Sequence, residues 1–568
     1  MSMNSNYETL LSEMKTEIDK SLSESATRIN LKELLNQNKH WGEIVADQVI
    51  DVFPDLDVYT CAAGISPSGI VHFGNFRDVM TAFTVAAGLK KRGKNVRFLF
   101  SWDDFDRFRK VPNGLDESFN KYIGMPLSKI PDPKGELESY AKRFELEFEA
   151  SMKELDIDLE YRYQTKEYES GRYDESMFMC LKERKKIAAI LFGFMSEIGK
   201  EKRGIEAETY IESYYPINLY SRFSGTDNTE ILSYDGETTV EYFCHDTKQK
   251  DTVDLSKDRI AKLSWKIDWP MRWEKESVNF EPGGFDHSTP GGSYDTSTVL
   301  SRVLFHRNPP IYAGYDFIGI RGNAGKMSGS KGGAISPAEL LEIYEPDLLR
   351  WLYLRVPFNQ KFDLSFDSEI IRQYDEFDRE RLGALTGEII QARANGIMFS
   401  LRPEKKLALA VPVSIRKLIG YSQIVQWDIL KLCEILDQEG VEYDKNWLEE
   451  RMGKAKNWLE KYNPDAEIKL NDEKNLEYYS SIDDSMKEMI SELKDYLVNS
   501  SDEDISTIEA KVYSIPKRDG IAEDELKKKQ REFFKVVYNL LLSANQGPRL
   551  STFLWAVDRE KIIELLSF

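Results

Sequence analysis

Apolar positions along this chain first follow strand spacing, then helix spacing, then strand spacing again. Residues 58–63 form a short apolar run rich in Val, Tyr and Thr, the composition of a buried strand. Residues 64–69 are Gly, Ser and Pro chemistry and predict a turn. Phe76, Val79, Met80, Phe83 and Ala87 then recur at helical spacing, predicting a helix over 75–92. Its last turn is basic and Gly93 ends it, as the helix dipole and C-cap chemistry favour. A second apolar run at 96–102 predicts the next strand. A strand–helix–strand unit of this kind belongs to a parallel sheet.

From 107 to 255 the alternation breaks. Loops around 126–133, charged helical stretches at 136–155 and 175–199, and a strand-like segment at 231–242 read as an insertion between two halves of the sheet. The sheet is expected to resume near Leu263. A helix over 297–305 and a strand over 310–320 follow. Ser336, Pro337 and Glu339 then have the spacing of an N-terminal capping box, and helical patterns dominate from there. The predicted organisation is a helical extension at 1–55, a first half-domain at 56–106, the insertion at 107–255, a second half-domain at 256–344 and an all-helical region at 345–568.

Composition narrows the class. With 568 residues the chain is too long for one core, and 41% hydrophobic content supplies several. No run of about 20 uncharged apolar residues is present, so no membrane span is expected. The polar N-terminus lacks a signal-peptide core, which suggests a cytoplasmic protein. The four cysteines, Cys61, Cys180, Cys244 and Cys433, form no C-x-x-C pair. Cys244-His245 offers two ligands without a matching pair, so no metal site is expected. The net charge of −20 does not exclude a nucleic acid partner, because binding depends on local patches. Lys90-Lys91-Arg92 with Lys94, and the clusters at 182–186, 200–203 and 527–531, are such patches, and equally the composition of solvated helix faces.

Two segments carry candidate chemistry. Pro67-Ser68-Gly69-Ile70-Val71-His72-Phe73-Gly74-Asn75 places a histidine at a strand–helix junction. A helix N-terminus attracts anions, Gly74 permits close approach, and Asn75 adds a neutral donor. Far downstream, Lys326-Met327-Ser328-Gly329-Ser330-Lys331-Gly332 sets two cations on a Gly/Ser loop able to stabilise charge on a leaving pyrophosphate. It is not a Walker loop. Together the segments predict one ATP site: Pro67, Ser68, Gly69, His72, Gly74, Asn75, Lys326, Met327, Ser328 and Gly329, with His72, Asn75, Lys326 and Lys331 in catalytic roles.

These segments resemble the HIGH and KMSKS signatures of class I aminoacyl-tRNA synthetases. Asn75 replaces the second histidine, and Gly329 the second lysine. Gly64-Ile65-Ser66-Pro67-Ser68-Gly69, the run at 102–112, Asp268-Trp269-Pro270-Met271-Arg272-Trp273 and Phe280-Glu281-Pro282-Gly283-Gly284-Phe285-Asp286-His287 are similar to the class I lysyl-tRNA synthetases, over about residues 40–360. The resemblance implies an α/β, Rossmann-type catalytic domain with an inserted domain, followed by an all-α anticodon-binding domain. It implies ATP with Mg²⁺, L-lysine and tRNA(Lys) as partners, and activation of lysine followed by transfer to the 3′-terminal adenosine. It also implies that lysine activation requires tRNA.

The resemblance further implies an amino-acid pocket of Gly64, Ser66, Trp265, His287 and Tyr315. Asp286 could pair with a substrate charge, and aromatic faces suit lysine's methylenes and ammonium. Archaeal members can carry zinc clusters in the insertion; the unpaired cysteines predict their absence here. Asp103, Asp104 and Asp106 are expected to order their loop through Arg107, Arg109 or Lys110. Trp555, Arg549 and the 527–531 cluster are candidate tRNA contacts. The oligomeric state stays open, a monomer being one option. The alternatives are a glutamyl-type class I synthetase, which would need a cationic pocket, and a tRNA-independent nucleotidyltransferase.

Overall fold

The computed structural model describes residues 2–24, 27–29, 32, 34, 36, 38–320, 335–403, 412–500, 503–517 and 522–568. It divides into two compact units. The first comprises Met1–Leu341, Pro346–Leu364 and Gly387–Lys406; the second comprises Glu342–Glu345, Ser365–Thr386 and Leu407–Phe568.

The first unit is built on a five-stranded sheet. Its strands are β1 (Tyr59–Ile65), β2 (Val96–Trp102) and β3 (Glu160–Tyr163), together with two later strands. Between β3 and those two lie β4 (Ile217–Leu219), β5 (Thr229–Tyr234), β6 (Thr239–Cys244), β7 (Gln249–Asp254) and β8 (Ala261–Leu263). The sheet closes with β9 (Val278–Gly284) and β10 (Ile311–Tyr315). The order is β10-β9-β1-β2-β3, with every pairing parallel. The helix Phe73–Lys91 carries the chain from β1 to β2. The order reverses beside β1, so a crevice forms there at the carboxyl ends of the strands, the usual ligand position in such sheets. Where the β1–β9 register shifts at Thr60, Asn279 Oδ1 accepts the Thr60 N–H at 2.9 Å and satisfies the displaced donor.

Several expectations are revised by packing. The segment near Leu263 does not rejoin the central sheet: β8 pairs antiparallel with β4, and the sheet resumes at β9. The intervening Trp265–Lys275 is a helix despite Pro270. Proline removes the N–H that would serve Lys266 O, and the buried Ser297 Oγ donates to that carbonyl at 3.1 Å instead. The strand-like run at 231–242 is the hairpin β5–β6, turned where Asp235 Oδ1 accepts from Glu237 N and Thr239 N at 2.8 and 3.0 Å. The long strand expected at 310–320 is split into β10 and β11 (Ile318–Ile320) because Asp316 N turns aside to Phe358 O at 2.9 Å. β11 pairs with β12 (Phe362–Leu364).

The helix Trp41–Val52 packs on Phe73–Lys91 through a close crossing, where a Cβ on Gly88 would meet Gly42 O at 2.5 Å. Ser336 N donates to Glu339 Oε2 at 2.9 Å and Glu339 N to Ser336 Oγ at 3.3 Å, a reciprocal capping box before Pro337–Leu341. Residues 346–364 and 387–406, expected with the C-terminal helices, belong to the first unit. Arg402 clamps Asp347 there, and Arg350 donates to Leu155 O and Phe399 O at 3.1 Å each.

The second unit is helical, with a core that includes Leu432, Ile435, Leu493, Phe533, Val537 and Leu565. Within it Arg451, 1% exposed, donates to Glu345 and to Asp378, so a buried cation has two carboxylates. Arg549 is tied to Glu509 at 2.6 Å.

Candidate active site

At the reversal point beside β1 lies a cavity of about 980 Å³. The turn after β1 supplies Gly64, Ser66, Ser68 and Gly69 to its wall; the next helix supplies His72, Gly74 and Asn75. Pro67 is buried beneath that turn. The helix Trp265–Lys275 adds Trp265 and Trp269, the end of β9 adds Glu281 to Gly284, and the following turn adds Asp286 and His287. Tyr315 closes the side contributed by β10. Residues distant in sequence thus meet because three parallel strands end together.

His72 is the N-cap of its helix. Its Nδ1 accepts from Gly74 N at 3.1 Å and Asn75 N at 3.3 Å. Accepting at Nδ1 fixes the neutral tautomer with its proton on Nε2, a donor suited to a phosphate oxygen. The glycine at 74 has a local cause: a Cβ there would come within 3.0 Å of the imidazole. Sequence reasoning assigned that glycine to substrate approach, whereas the ring of His72 already uses the space.

The amino-acid end is aromatic. Trp265 and Trp269 stack with centroids 5.1 Å apart, and His287 lies 6.0 and 5.8 Å from them. Trp269 is only 3% exposed and also packs in a cluster with Trp273, Tyr294 and Tyr312, so it serves both core and cavity. Burial pulls the His287 imidazole below its usual value, with Asp286 opposing. Asp286 itself is exposed at the cavity's edge. Burial, with Asp78 nearby, pushes the Tyr315 phenol well up. Gly283 is required because a Cβ would collide with the Tyr312 hydroxyl.

Buried charges form the far wall. Arg272 Nη1 reaches Asp103 at 2.6 Å and its Nη2 bonds Asp268, which also accepts from Tyr168. Lys262 Nζ pairs with Asp106 at 2.6 Å. Burial would raise Asp106, but Lys262 brings it below its ordinary value. Asp104 accepts from Thr165 N at 2.8 Å, and burial lifts it to about 6. This loop is therefore ordered by Arg272, Lys262 and Thr165, while Arg107 turns to Asp227 at 3.5 Å.

Two lining carboxylates were not anticipated. Asp78 Oδ2 accepts from Gly64 N at 3.2 Å, and burial raises its carboxyl well above the usual range. Glu281 Oε2 accepts from Trp273 Nε1 at 2.7 Å, and burial lifts it to about 7. The signal was present: Asp78 interrupts an apolar helical stripe, and Glu281 interrupts an apolar strand.

Lys326, Met327, Ser328, Gly329 and Lys331 lie outside the described residues. Among the described residues no group of three or more His, Cys, Asp or Glu side chains could hold a metal ion. The Cys244 thiol is surrounded instead by hydroxyls: burial raises it, but Ser221, Ser224 and Thr247 outweigh that and bring it to about 6. No described helix is long and apolar enough to cross a membrane.

The sequence model of the class I tRNA synthetases (K) matches residues 39–398. A lysine–tRNA ligase of Pyrococcus horikoshii is 33% identical over 93% of this chain and 99% of its own length. One of Streptomyces coelicolor is 35% identical over 93% of this chain and 98% of its own. Among solved structures, a glutamate tRNA ligase from Elizabethkingia meningosepticum aligns at TM-score 0.43 and 11% identity, covering 90% of this chain and 99% of that one. On the family match and the near full-length identity to these relatives, the chain belongs to the class I tRNA synthetases (K).

Proposed function

We propose that this protein is a lysine–tRNA ligase. A carboxylate oxygen of L-lysine attacks the α-phosphorus of MgATP, the bond to the bridging oxygen breaks, and pyrophosphate leaves. A ribose hydroxyl of the 3′-terminal adenosine of tRNA(Lys) then attacks the carbonyl carbon, and AMP leaves. One observation carries this reading. A histidine helix cap and a stacked, acid-flanked indole pair line a single cavity at the strand-order reversal.

His72 Nε2–H and the Asn75 amide are suited to charge on the ATP phosphates, with Ser68 and Gly69 leaving room for the nucleotide and Gly74 leaving room for the His72 ring. Pro67 fixes the turn that precedes them. The sequence assigns Lys326 and Lys331 to charge on the departing pyrophosphate, with Met327, Ser328 and Gly329 as their loop. Gly64, Ser66, Trp265, His287 and Tyr315 surround the amino acid. A stacked indole pair offers its face to methylenes and an ammonium, which favours lysine over an anionic substrate. Asp286, at the rim, is placed to meet charge entering the slot rather than charge seated within it. The helical second unit is the candidate anticodon reader.

ATP–pyrophosphate exchange tests this, run with each amino acid with and without total tRNA. Exchange with lysine alone among the amino acids, followed by lysyl transfer to tRNA, is expected. Exchange with glutamate, or none with lysine when tRNA is supplied, would overturn the reading.

A further inference from the structure

Five of the cavity's carboxylates fall into two groups. Asp103, Asp106 and Glu276 each have a cationic side chain beside them: Arg272 at 2.6 Å, Lys262 at 2.6 Å and Arg97 at 2.7 Å. Asp78 and Glu281 have none within ion-pair distance among the described residues, although Asp78 is only 6% exposed. Their hydrogen bonds come from neutral donors, Gly64 N and the Trp273 indole. Burying a carboxylate without a cation is costly, so such a group either holds a proton or awaits a partner. Burial raises both carboxyls, and the Glu281 charge raises Asp78 further, while Arg272 opposes the rise at Glu281.

Their positions define a slot. Glu281 lies on β9 opposite Tyr312 of β10, while Asp78 lies below the end of β1 on the following helix. β1 contributes the small side chain of Ala62 to the same cavity wall, and Ala62 belongs to one buried cluster with Trp269 and Trp273. This side of the cavity therefore carries the Trp269 indole and two carboxylates with no cationic side chain in ion-pair distance among the described residues. An aliphatic chain ending in a cation suits it by charge and by the apolar indole face.

Resting on the lysine reading above, we propose that Asp78 and Glu281 together form the subsite that binds the ε-ammonium and so select lysine. A substrate ammonium supplies the counter-charge that the fold omits. A side chain that is neutral or anionic leaves both carboxylates without a counter-charge, and that is the source of discrimination. Sites that must pair a buried polar group reject analogues lacking the partner by about 10⁴–10⁵-fold.

The test uses the full chain with tRNA present, and measures pyrophosphate exchange with lysine and with norleucine, which lacks the ε-ammonium. Glu281→Gln and Asp78→Asn are expected to raise the KM for lysine at least about 100-fold, with the KM for ATP within about threefold. The preference for lysine over norleucine should shrink by a similar factor. Because each variant removes an unpaired buried charge and keeps a hydrogen-bond acceptor, its Tm should not fall. A folded pair of variants that keep the lysine KM and the norleucine discrimination of the unmodified protein would overturn the proposal, with lysine activation itself intact. Failure of the unmodified protein to activate lysine would instead overturn the underlying reading. A Tm loss in both variants without change in discrimination would show a purely structural role and sink the proposal too.

Discussion

The imidazole of His72 lies against Gly74, with Nδ1 3.1 Å from the Gly74 nitrogen and only 3.0 Å from where a methyl group on Gly74 would sit. The glycine therefore fixes where the histidine ring rests, and through it where Nε2–H can meet a phosphate. Gly74→Ala should tilt the ring while the helix, which tolerates alanine well, stays folded. A misplacement of this size costs on the order of 10- to 100-fold in kcat/KM. Steady-state exchange kinetics with ATP varied, alongside circular dichroism, measure it. Unchanged kinetics in a folded variant would remove His72 from the phosphate role.

Ser297 and Pro270 form a compensated pair. The hydroxyl serves the Lys266 carbonyl that Pro270 cannot. Ser297→Ala should leave that carbonyl unsatisfied in a buried place and cost about 1–2 kcal/mol in urea unfolding. Pro270→Ala restores an N–H, so in that background the serine substitution should cost clearly less. Equal costs in both backgrounds would mean that the proline does not set the serine's task.

The parts of this fold that were legible in sequence are those governed by local pattern. The run at 58–63, the stripe from Phe76 to Ala87 and the Ser336–Glu339 spacing each specify structure without distant partners. The helix Trp265–Lys275 was not legible. It holds a proline in its interior, and the lost hydrogen bond is replaced by Ser297 on another helix. Cavity-lining positions were legible where glycines and a histidine cluster at a turn, because turn chemistry is local. Asp78 and Glu281 look like ordinary acids until β1, β9 and the helix after β1 bury them around one space. Asp286 drew attention beside His287, but the single helical turn Phe285–His287 leaves it at the rim.

In the second unit, Arg451 joins Glu345 and Asp378 with almost no solvent contact. Burial works against the guanidinium, but the two carboxylates hold it firmly charged. Arg451→Met should strand both acids and destabilise this unit by about 3–5 kcal/mol. Replacing all three with Met, Gln and Asn should recover much of that loss, because the stranded charges go with the arginine. Thermal unfolding of the single and triple variants reads the difference; equal melting would show that stranded charge is not the cause.

His40 gives the clearest dependence on pH. It caps the helix Trp41–Val52, its Nδ1 accepting from Gly42 N at 3.2 Å and its Nε2 facing Leu354 O at 2.9 Å. Burial pulls its pKa down to about 4, against an ordinary value of 6.5. The folded state therefore binds this proton more weakly than the unfolded chain. The neutral ring's contribution is fully present above about pH 6.5 and is lost as pH falls toward 4, by an amount on the order of 3 kcal/mol. His40→Asn keeps a good N-cap without a titrating ring. Urea midpoints for both proteins between pH 7 and 4 should converge as pH falls, since only the histidine protein loses this contribution. Parallel profiles would place the acid sensitivity elsewhere, with Glu43 next to be tested, because its carboxylate accepts the His40 N–H at 3.0 Å and pairs with Arg92 at 3.0 Å.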